Sequence, residues 1–422
     1  MIRSVKNFFT QVFIFLLPVQ AGYHFWPSWA YVFGIRVDYF SPTLYLTDLL
    51  GIFLFFLWVI ELFNKRKRVL ILKRKSFYLI FFFLFASVNI VFSLSLFPAL
   101  LKWAKLIQLI FLGIFFKSQK KQNLERLIIK PLLLSLGFFS LIGVAQFLKG
   151  ESLGLFYFLG ERNFSVTTPG ISLVNIAGRD FLRSYSTFSH PNSLAGFVLV
   201  GLVVGYGYLK EKGLQLDILG KFSFFIGSLA ILLSFSANIF LSLLIFVLLY
   251  LLNTKAPYYF KKSIVLLFSA SLIFSISAPF FSERILMKNF DLGESYSERL
   301  SSAATAGKFF SKNPLNGVGL NNFILASSKI TSYPSYYWKL QPVHNIFLLV
   351  LAETGIIGLF FFLSMFFSAI KNSLSKNLWL VIPLALIVTT GLFDHYWLTL
   401  QQNQLLFSLI VGLALKKKEW LV

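Results

Sequence analysis

Residues 46–75 read LTDLLGIFLFFLWVIELFNKRKRVLILKRK. The first part is an apolar run of the length that crosses a bilayer as a helix, about 20 residues. It stops at Lys65-Arg66-Lys67-Arg68, and Lys73-Arg74-Lys75 follow before the next apolar run begins. Cytoplasmic connections of membrane proteins carry an excess of Lys and Arg, so this alternation sets both a span and its direction. The rest of the chain repeats it. A window of about 19 residues gives twelve candidate spans, near 8–25, 43–63, 76–95, 96–116, 131–148, 193–210, 219–236, 237–253, 263–281, 345–370, 378–396 and 400–415. Of 422 residues, 57% are hydrophobic and only 13% charged, against roughly 25% charged in soluble domains. Phe alone occurs 53 times. A soluble core of this size has no such deficit of charge, so the expected fold is an all-α polytopic membrane protein forming one domain over residues 1–422.

Twelve spans put both termini on one side, and the connections on that side hold most of the 39 Lys and Arg, which makes it cytoplasmic. Arg3 and Lys6 ahead of the first apolar run also suit a signal peptide, although no small-x-small cleavage site stands out. The net charge of +23 does not indicate nucleic acid, because the basic residues lie in short stretches between apolar runs. Without cysteine there are no disulfides, thiolate metal sites or Cys nucleophiles, and the four histidines stand too far apart in sequence for an evident metal cluster. Two outer connections are long, 149–192 and 282–344, and chemistry is expected there.

The first long loop ends Arg183-Ser184-Tyr185-Ser186-Thr187-Phe188-Ser189-His190-Pro191-Asn192 and enters a span. Asn192 is a candidate N-cap. Arg183, nine residues earlier, can fold back over the positive helix end to make a site for phosphate oxygens, or can stay interfacial, paired with Asp180 or headgroups. In the second loop, Ser295 and Glu298 fit a capping box for a helix over 296–312 that stops before Asn313-Pro314. Arg299 then falls in its first turn, where a cation opposes the helix dipole unless an anion is bound; the alternative is a pair with Glu298 or Glu294. Asn316-Gly317-Val318-Gly319 allows a tight turn. Tyr333, Tyr336, Tyr337 and Trp338 either stack on sugars or belong to an interfacial aromatic belt.

His344 precedes the tenth span at a helix N-terminus, where the dipole favours a neutral ring; it suits a general base for a hydroxyl, or a capping role. Gly355, eleven residues on, falls on the same helical face, and Glu353 on the opposite one. Lys102 and Lys105 share a face inside the fourth span and either draw a lipid pyrophosphate or snorkel outward. Glu61 reads as interfacial, and Asp48 and the Asp394-His395-Tyr396 stretch as packing or electrostatic partners.

Together these stretches resemble the O-antigen ligase and polymerase superfamily of bacterial envelope glycosyltransferases. The resemblance rests on Arg183-x6-His190-Pro191-Asn192-x-x-Ala195, on Arg299 with Asn313-Pro314-Leu315-Asn316-Gly317-Val318-Gly319, and on His344-Asn345 with Ala352-Glu353-Thr354-Gly355-x-x-Gly358. It implies a GT-C-like fold of about twelve transmembrane helices, with short helices in the two outer loops. It also implies a metal-independent, inverting transferase without cofactors. The donor would be a glycan on undecaprenyl or another polyprenyl pyrophosphate, and the acceptor a hydroxyl of a glycolipid, protein or glycan. The enzyme would sit in the cytoplasmic membrane among its lipids and work on the outer face in lipopolysaccharide or other envelope polysaccharide synthesis. In this pattern Arg183 and Arg299 hold the pyrophosphate and His344 activates the acceptor. His190 and Asn345 are secondary candidates, as are the basic residues Arg179, Lys102 and Lys105; Arg179 and Lys308 have no place in the motifs. A polymerase of the same superfamily is the near alternative. A flippase for lipid-linked sugars is the alternative of another class, disfavoured because the charges gather on one outer side rather than at the midplane.

Overall fold

The computed structural model describes residues 2–64, 76–251, 292–330 and 340–416, and only the backbone course at 76–79, 245–251 and 292–297. The apolar runs form helices because each closes its backbone hydrogen bonds within one segment, which a membrane interior demands. In chain order they are α1 (Ile2–Phe15), α2 (Leu46–Asn64), α3 (Ser76–Val91), α4 (Leu96–Ser118) and α5 (Lys130–Lys149). Next come α6 (Pro191–Glu211), α7 (Ile218–Leu233), α8 (Ala237–Leu251), α9 (Leu292–Lys312) and α10 (Phe323–Ser328). The last four are α11 (Ile346–Lys376), α12 (Val381–Gly391), α13 (Tyr396–Thr399) and α14 (Gln401–Ala414).

The chain is an integral membrane protein. Among the described residues, five segments are long and apolar enough to span: α2, α4, Glu125–Lys149 around α5, α6 and α11. A sixth arises if α7 and α8, bent by 116° at their junction, count as one broken span. The runs expected at 8–25, 76–95, 378–396 and 400–415 appear as shorter helices, α1, α3, α12 and α14, and the one at 263–281 lies outside the described residues. At 1.5 Å per residue, a helix the length of α1 covers only about 21 Å. α6 and α14 form the centre of the apolar core with α5 and α12 around them. Glu61, expected at an interface, is buried and pairs with buried Lys6 of α1.

Outside the helices, the regular structure differs from expectation. Residues 16–45, not expected to be extended outside the membrane, carry two small antiparallel sheets, β1 (Gly22–His24) with β4 (Thr43–Tyr45) and β2 (Tyr31–Val32) with β3 (Ile35–Arg36). The loop 149–192, where short helices were expected, holds one 3-10 turn (Tyr157–Leu159) and, besides it, the hairpin of β5 (Leu173–Ile176) and β6 (Arg179–Leu182). Leu182 is buried against Phe164 and Tyr185 with Leu173 packed beside them, so the hairpin is held by the face that carries its Leu173–Leu182 pair.

The segment Asn313–Gly319 docks into a break in α11. Gly355 has φ 63° and ψ −166°, a conformation open only to glycine. There the helical ladder is exchanged for bonds to the docking segment. Val318 N–H donates to Ala352 O (2.9 Å), Gly319 N–H to Glu353 O (3.0 Å), and Ile356 N–H to Pro314 O (2.8 Å). Gly317 and Gly355 each approach the other segment's backbone so closely that neither has room for a Cβ. Two of the sequence motifs are thus halves of one joint, and the reading of Glu353 and Gly355 as opposite faces of a continuous helix is corrected. The Glu353 carboxylate accepts from Asn321 N–H (2.8 Å) and Phe323 N–H (3.1 Å), and Asn89 of α3 bonds both Asn316 O (2.8 Å) and Glu353 O (3.1 Å). The joint lays α9 along the first turns of α11, through Ala306, Phe309, Val343 and Leu349.

Candidate active site

At the start of α6 the N-cap is His190, where Asn192 was expected. His190 Nδ1 accepts from Asn192 N–H (3.1 Å), so the ring hydrogen is on Nε2, which faces Ser172 Oγ at 3.0 Å. Burial, and then the charge of Arg183, push the ring's pKa down to about 3. His190 is therefore a neutral capping group.

This frees the Asn192 side chain for another task. Its Oδ1 accepts from Arg183 Nη2 (2.9 Å) and its Nδ2 donates to Asp394 Oδ2 (3.1 Å). Arg183 does fold back over the helix start, nine residues along the chain. Its Nε donates to Ser234 O (2.5 Å), at the bend between α7 and α8. Helix C-termini expose unpaired carbonyls and carry the negative dipole end, so the bend is a natural anchor for a guanidinium. The fork is thereby held in one orientation at the mouth of α6. Arg179, in contrast, stands exposed at the far end of β6.

Asp394 and His395, read as packing or electrostatic partners, lie between Asn192 and His344. They follow α12 and precede α13, whose Tyr396 and Trp397 are fully buried and fix the segment. Asp394 Oδ1 accepts from His395 N–H (2.8 Å) and lies 3.6 Å from His344 Nδ1. Burial opposes its charge, but the neighbouring His344 above all holds the carboxyl well below the usual carboxylate range. His344 stands just before Asn345, the N-cap of α11, whose Oδ1 accepts from Phe347 N–H (2.9 Å) and Leu348 N–H (3.0 Å). Asn345 also donates to Leu392 O (3.1 Å), tying the His344 turn to the Asp394 segment. Asn345 is a structural clasp.

The His344 and His395 rings lie 4.9 Å apart. A ring nitrogen of each and an Asp394 oxygen fall within 4.8 Å of one another. Thus histidines scattered in sequence meet in space, and by donor type alone the trio could hold a divalent cation. The surrounding charges oppose one: Arg299 and Lys102 both bear on His395, and Arg183 on His190. Burial, then the charge of His344, push His395 down to about 3. Tyr39, from the 16–45 segment, packs edge-on against His395 at 5.7 Å.

Arg299, on α9, bears on this group through its charge. That helix begins at Leu292 rather than near 296, so Arg299 lies beyond its first turn and the dipole argument for it does not hold. Lys308 is exposed farther along. Lys102 faces Glu353 and the site, but Lys105 is committed to Asp48. Asp48 Oδ1 also accepts from Gln108 (3.1 Å) and Gln401 (2.8 Å), a polar knot between α2, α4 and α14. Tyr333, Tyr336, Tyr337 and Trp338 lie outside the described residues. From sequence Asp394 and His395 have only a packing or electrostatic part, because they are 50 residues beyond His344, in no recognised motif; their closeness to His344 is signalled by no more than an acid and a histidine side by side between apolar runs.

Residues 222–363, about a third of the chain, match the family model described as O-Antigen ligase, in line with the resemblance carried by the motifs around Arg299, Gly317 and His344. The match contains Arg299, the joint at Gly355 and His344, and leaves Arg183 and Asp394 on either side. No curated protein matches the chain.

Proposed function

We propose that this protein is a membrane glycosyltransferase that moves a glycan from a polyprenyl pyrophosphate to an acceptor hydroxyl on the outer face of the cytoplasmic membrane, acting as a ligase. The match of residues 222–363 to the O-Antigen ligase family model supports a lipid-linked glycan donor and a glycan acceptor in general terms. The observation that carries the reading is the unbroken chain Arg183–Asn192–Asp394, which ends 3.6 Å from His344. This chain supports the reading because it links Arg183, the candidate anion ligand, to the neighbourhood of His344, the candidate base, although their motifs lie more than 150 residues apart.

His344 takes the proton of the acceptor hydroxyl as its oxygen attacks the anomeric carbon. The C–O bond to the phosphate breaks on the opposite side and the pyrophosphate leaves with the electron pair, so a single displacement inverts the anomeric configuration. Arg183 and Arg299 take up the charge on the leaving group; a planar guanidinium does this bidentately, as an ammonium does not. Asp394 orients the His344 ring and stabilises the imidazolium that forms. Pyrophosphate is already a good leaving group, so positioned cations and a base suffice and no metal is required.

The test is transfer by purified protein in liposomes holding a polyprenyl-pyrophosphate glycan and candidate acceptors. Wild type should move glycan off the carrier, and His344→Ala should bind donor without transferring it. Arg183→Lys should lose most activity although the charge is kept. A ladder of glycan that stays on the carrier identifies a polymerase. Normal transfer by His344→Ala refutes the base.

A further inference from the structure

The site contains a buried nitrogen with no partner. His395 is 4% exposed and its Nε2 makes no hydrogen bond. The tautomer follows from its surroundings. Thr399 Oγ1 donates its only hydrogen to His395 O (3.1 Å) and lies 2.8 Å from His395 Nδ1. With the Thr399 hydrogen on that carbonyl, Nδ1 carries the ring hydrogen and donates to Thr399, which leaves a lone pair on Nε2. A buried acceptor without a donor costs free energy unless something occupies the space. Side chains facing the ring are His344, Asp394 and Tyr39, and Arg299 and Lys102 add positive charge. That balance disfavours a cation, and a lone pair repels an anion. What fits is a neutral donor, an O–H.

We infer that His395 Nε2 accepts a hydrogen bond from a second hydroxyl of the acceptor sugar, the neighbour of the hydroxyl that His344 activates. The reading rests on the transferase function proposed above and adds its substrate class: an acceptor whose sugar carries adjacent free hydroxyls. Ring centroids 4.9 Å apart suit one sugar ring addressed at two neighbouring positions. Because Thr399 fixes the tautomer and Tyr396 and Trp397 fix the backbone, the lone pair is set before the acceptor arrives. His395 is thus a specificity residue. A site built to hold a hydroxyl rejects the analogue lacking it, because the protein group is then left unpaired.

The experiment compares His395→Phe and His395→Gln with wild type in membrane vesicles from cells that carry the protein, where native donor and acceptor are both present. His395→Phe removes the lone pair and keeps a flat ring; His395→Gln returns an acceptor oxygen near the Nε2 position. Expected is a fall of about 5- to 100-fold in transfer for His395→Phe, substantial recovery in His395→Gln, and unchanged binding of undecaprenyl pyrophosphate in both. Equal loss in both variants with intact thermal unfolding makes His395 a packing residue and overturns the inference, as does undiminished transfer by His395→Phe. Weaker undecaprenyl pyrophosphate binding moves His395 to the donor side, and a stoichiometric Co2+ absorption spectrum lost in His395→Gln makes it a metal ligand; either overturns it too. His344→Ala runs alongside: normal transfer there would sink the underlying transferase reading instead.

Discussion

Asn192 gives the sharpest test of how the site is wired. It is 9% exposed and its two side-chain hydrogen bonds, 2.9 Å to Arg183 and 3.1 Å to Asp394, join the proposed anion-binding half of the site to the proposed base half. Asn192→Leu keeps the volume and deletes both bonds. Hydrogen bonds to charged groups contribute about 1.5–3 kcal/mol each. Arg183 retains Ser234 O and Asp394 retains His395 N–H, so neither group is wholly stranded. If one bond's worth is expressed in the transition state, kcat/KM falls roughly 10- to 150-fold. Asn192→Asp separates the halves: it still accepts from Arg183 but sets a like charge against Asp394. The assay is initial-rate transfer in liposomes with donor titrated. Asn192→Leu should raise donor KM and lower kcat, whereas Asn192→Asp should leave donor KM near wild type and lower kcat alone. In a double-mutant cycle with Asp394→Ala, the effects should not add, because both substitutions break the same bond. Full additivity, or Asn192→Leu within twofold of wild type, would refute the coupling.

Three further perturbations address the scaffold and its charges. Gly355→Ala forces a Cβ against the Leu315 backbone at a positive φ, so it should cost at least about 1–3 kcal/mol, lower the melting temperature and impair transfer; unchanged unfolding would mean that the joint is not as tight as described. Lys105→Met leaves buried Asp48 without its cation and should destabilise the protein while undecaprenyl pyrophosphate binding persists, and Asp48→Asn in the same chain should restore much of the stability. Weakened pyrophosphate binding in the stable double variant would instead return Lys105 to the donor site. For pH, His190 and His395 both have folded pKa values near 3, below the ordinary 6.5. The unfolded chain then binds more protons between those limits, so stability is full above pH 6.5 and falls as pH drops toward 3. Each histidine contributes a slope of about 1.4 kcal/mol per pH unit well inside that window. Between pH 6 and 5 the decline in melting temperature should be shallower in His395→Gln, and an unaltered slope would contradict the burial of a neutral ring.

The membrane class was legible because hydropathy is a local property, and a bilayer requires each span to satisfy its own backbone. Span number was less legible. Runs such as 8–25 and 400–415 are apolar over a window, yet their helices end where buried polar residues and turns take over: α1 stops at Phe15, and α14 opens with buried Gln401, Gln402 and Asn403. Motif residues were legible as chemistry but not as geometry. Arg183 could be expected to fold back over α6, because that contact is local. Its anchor at Ser234 could not, since it depends on a 116° bend whose turn holds Phe235 at φ 47°. The misreadings of Glu353 and Gly355 have one cause: helical periodicity assumes an unbroken helix, and Gly355 breaks it to admit residues 314–319. Asp394 and His395 show the deeper limit. An acidic residue in a loop between apolar runs has many uses, and its role emerges only when Asn192, 202 residues away, reaches it. What turns an arginine in one outer loop and a histidine after another into a single site is therefore a small amide, whose own sequence signature promised no more than a helix cap.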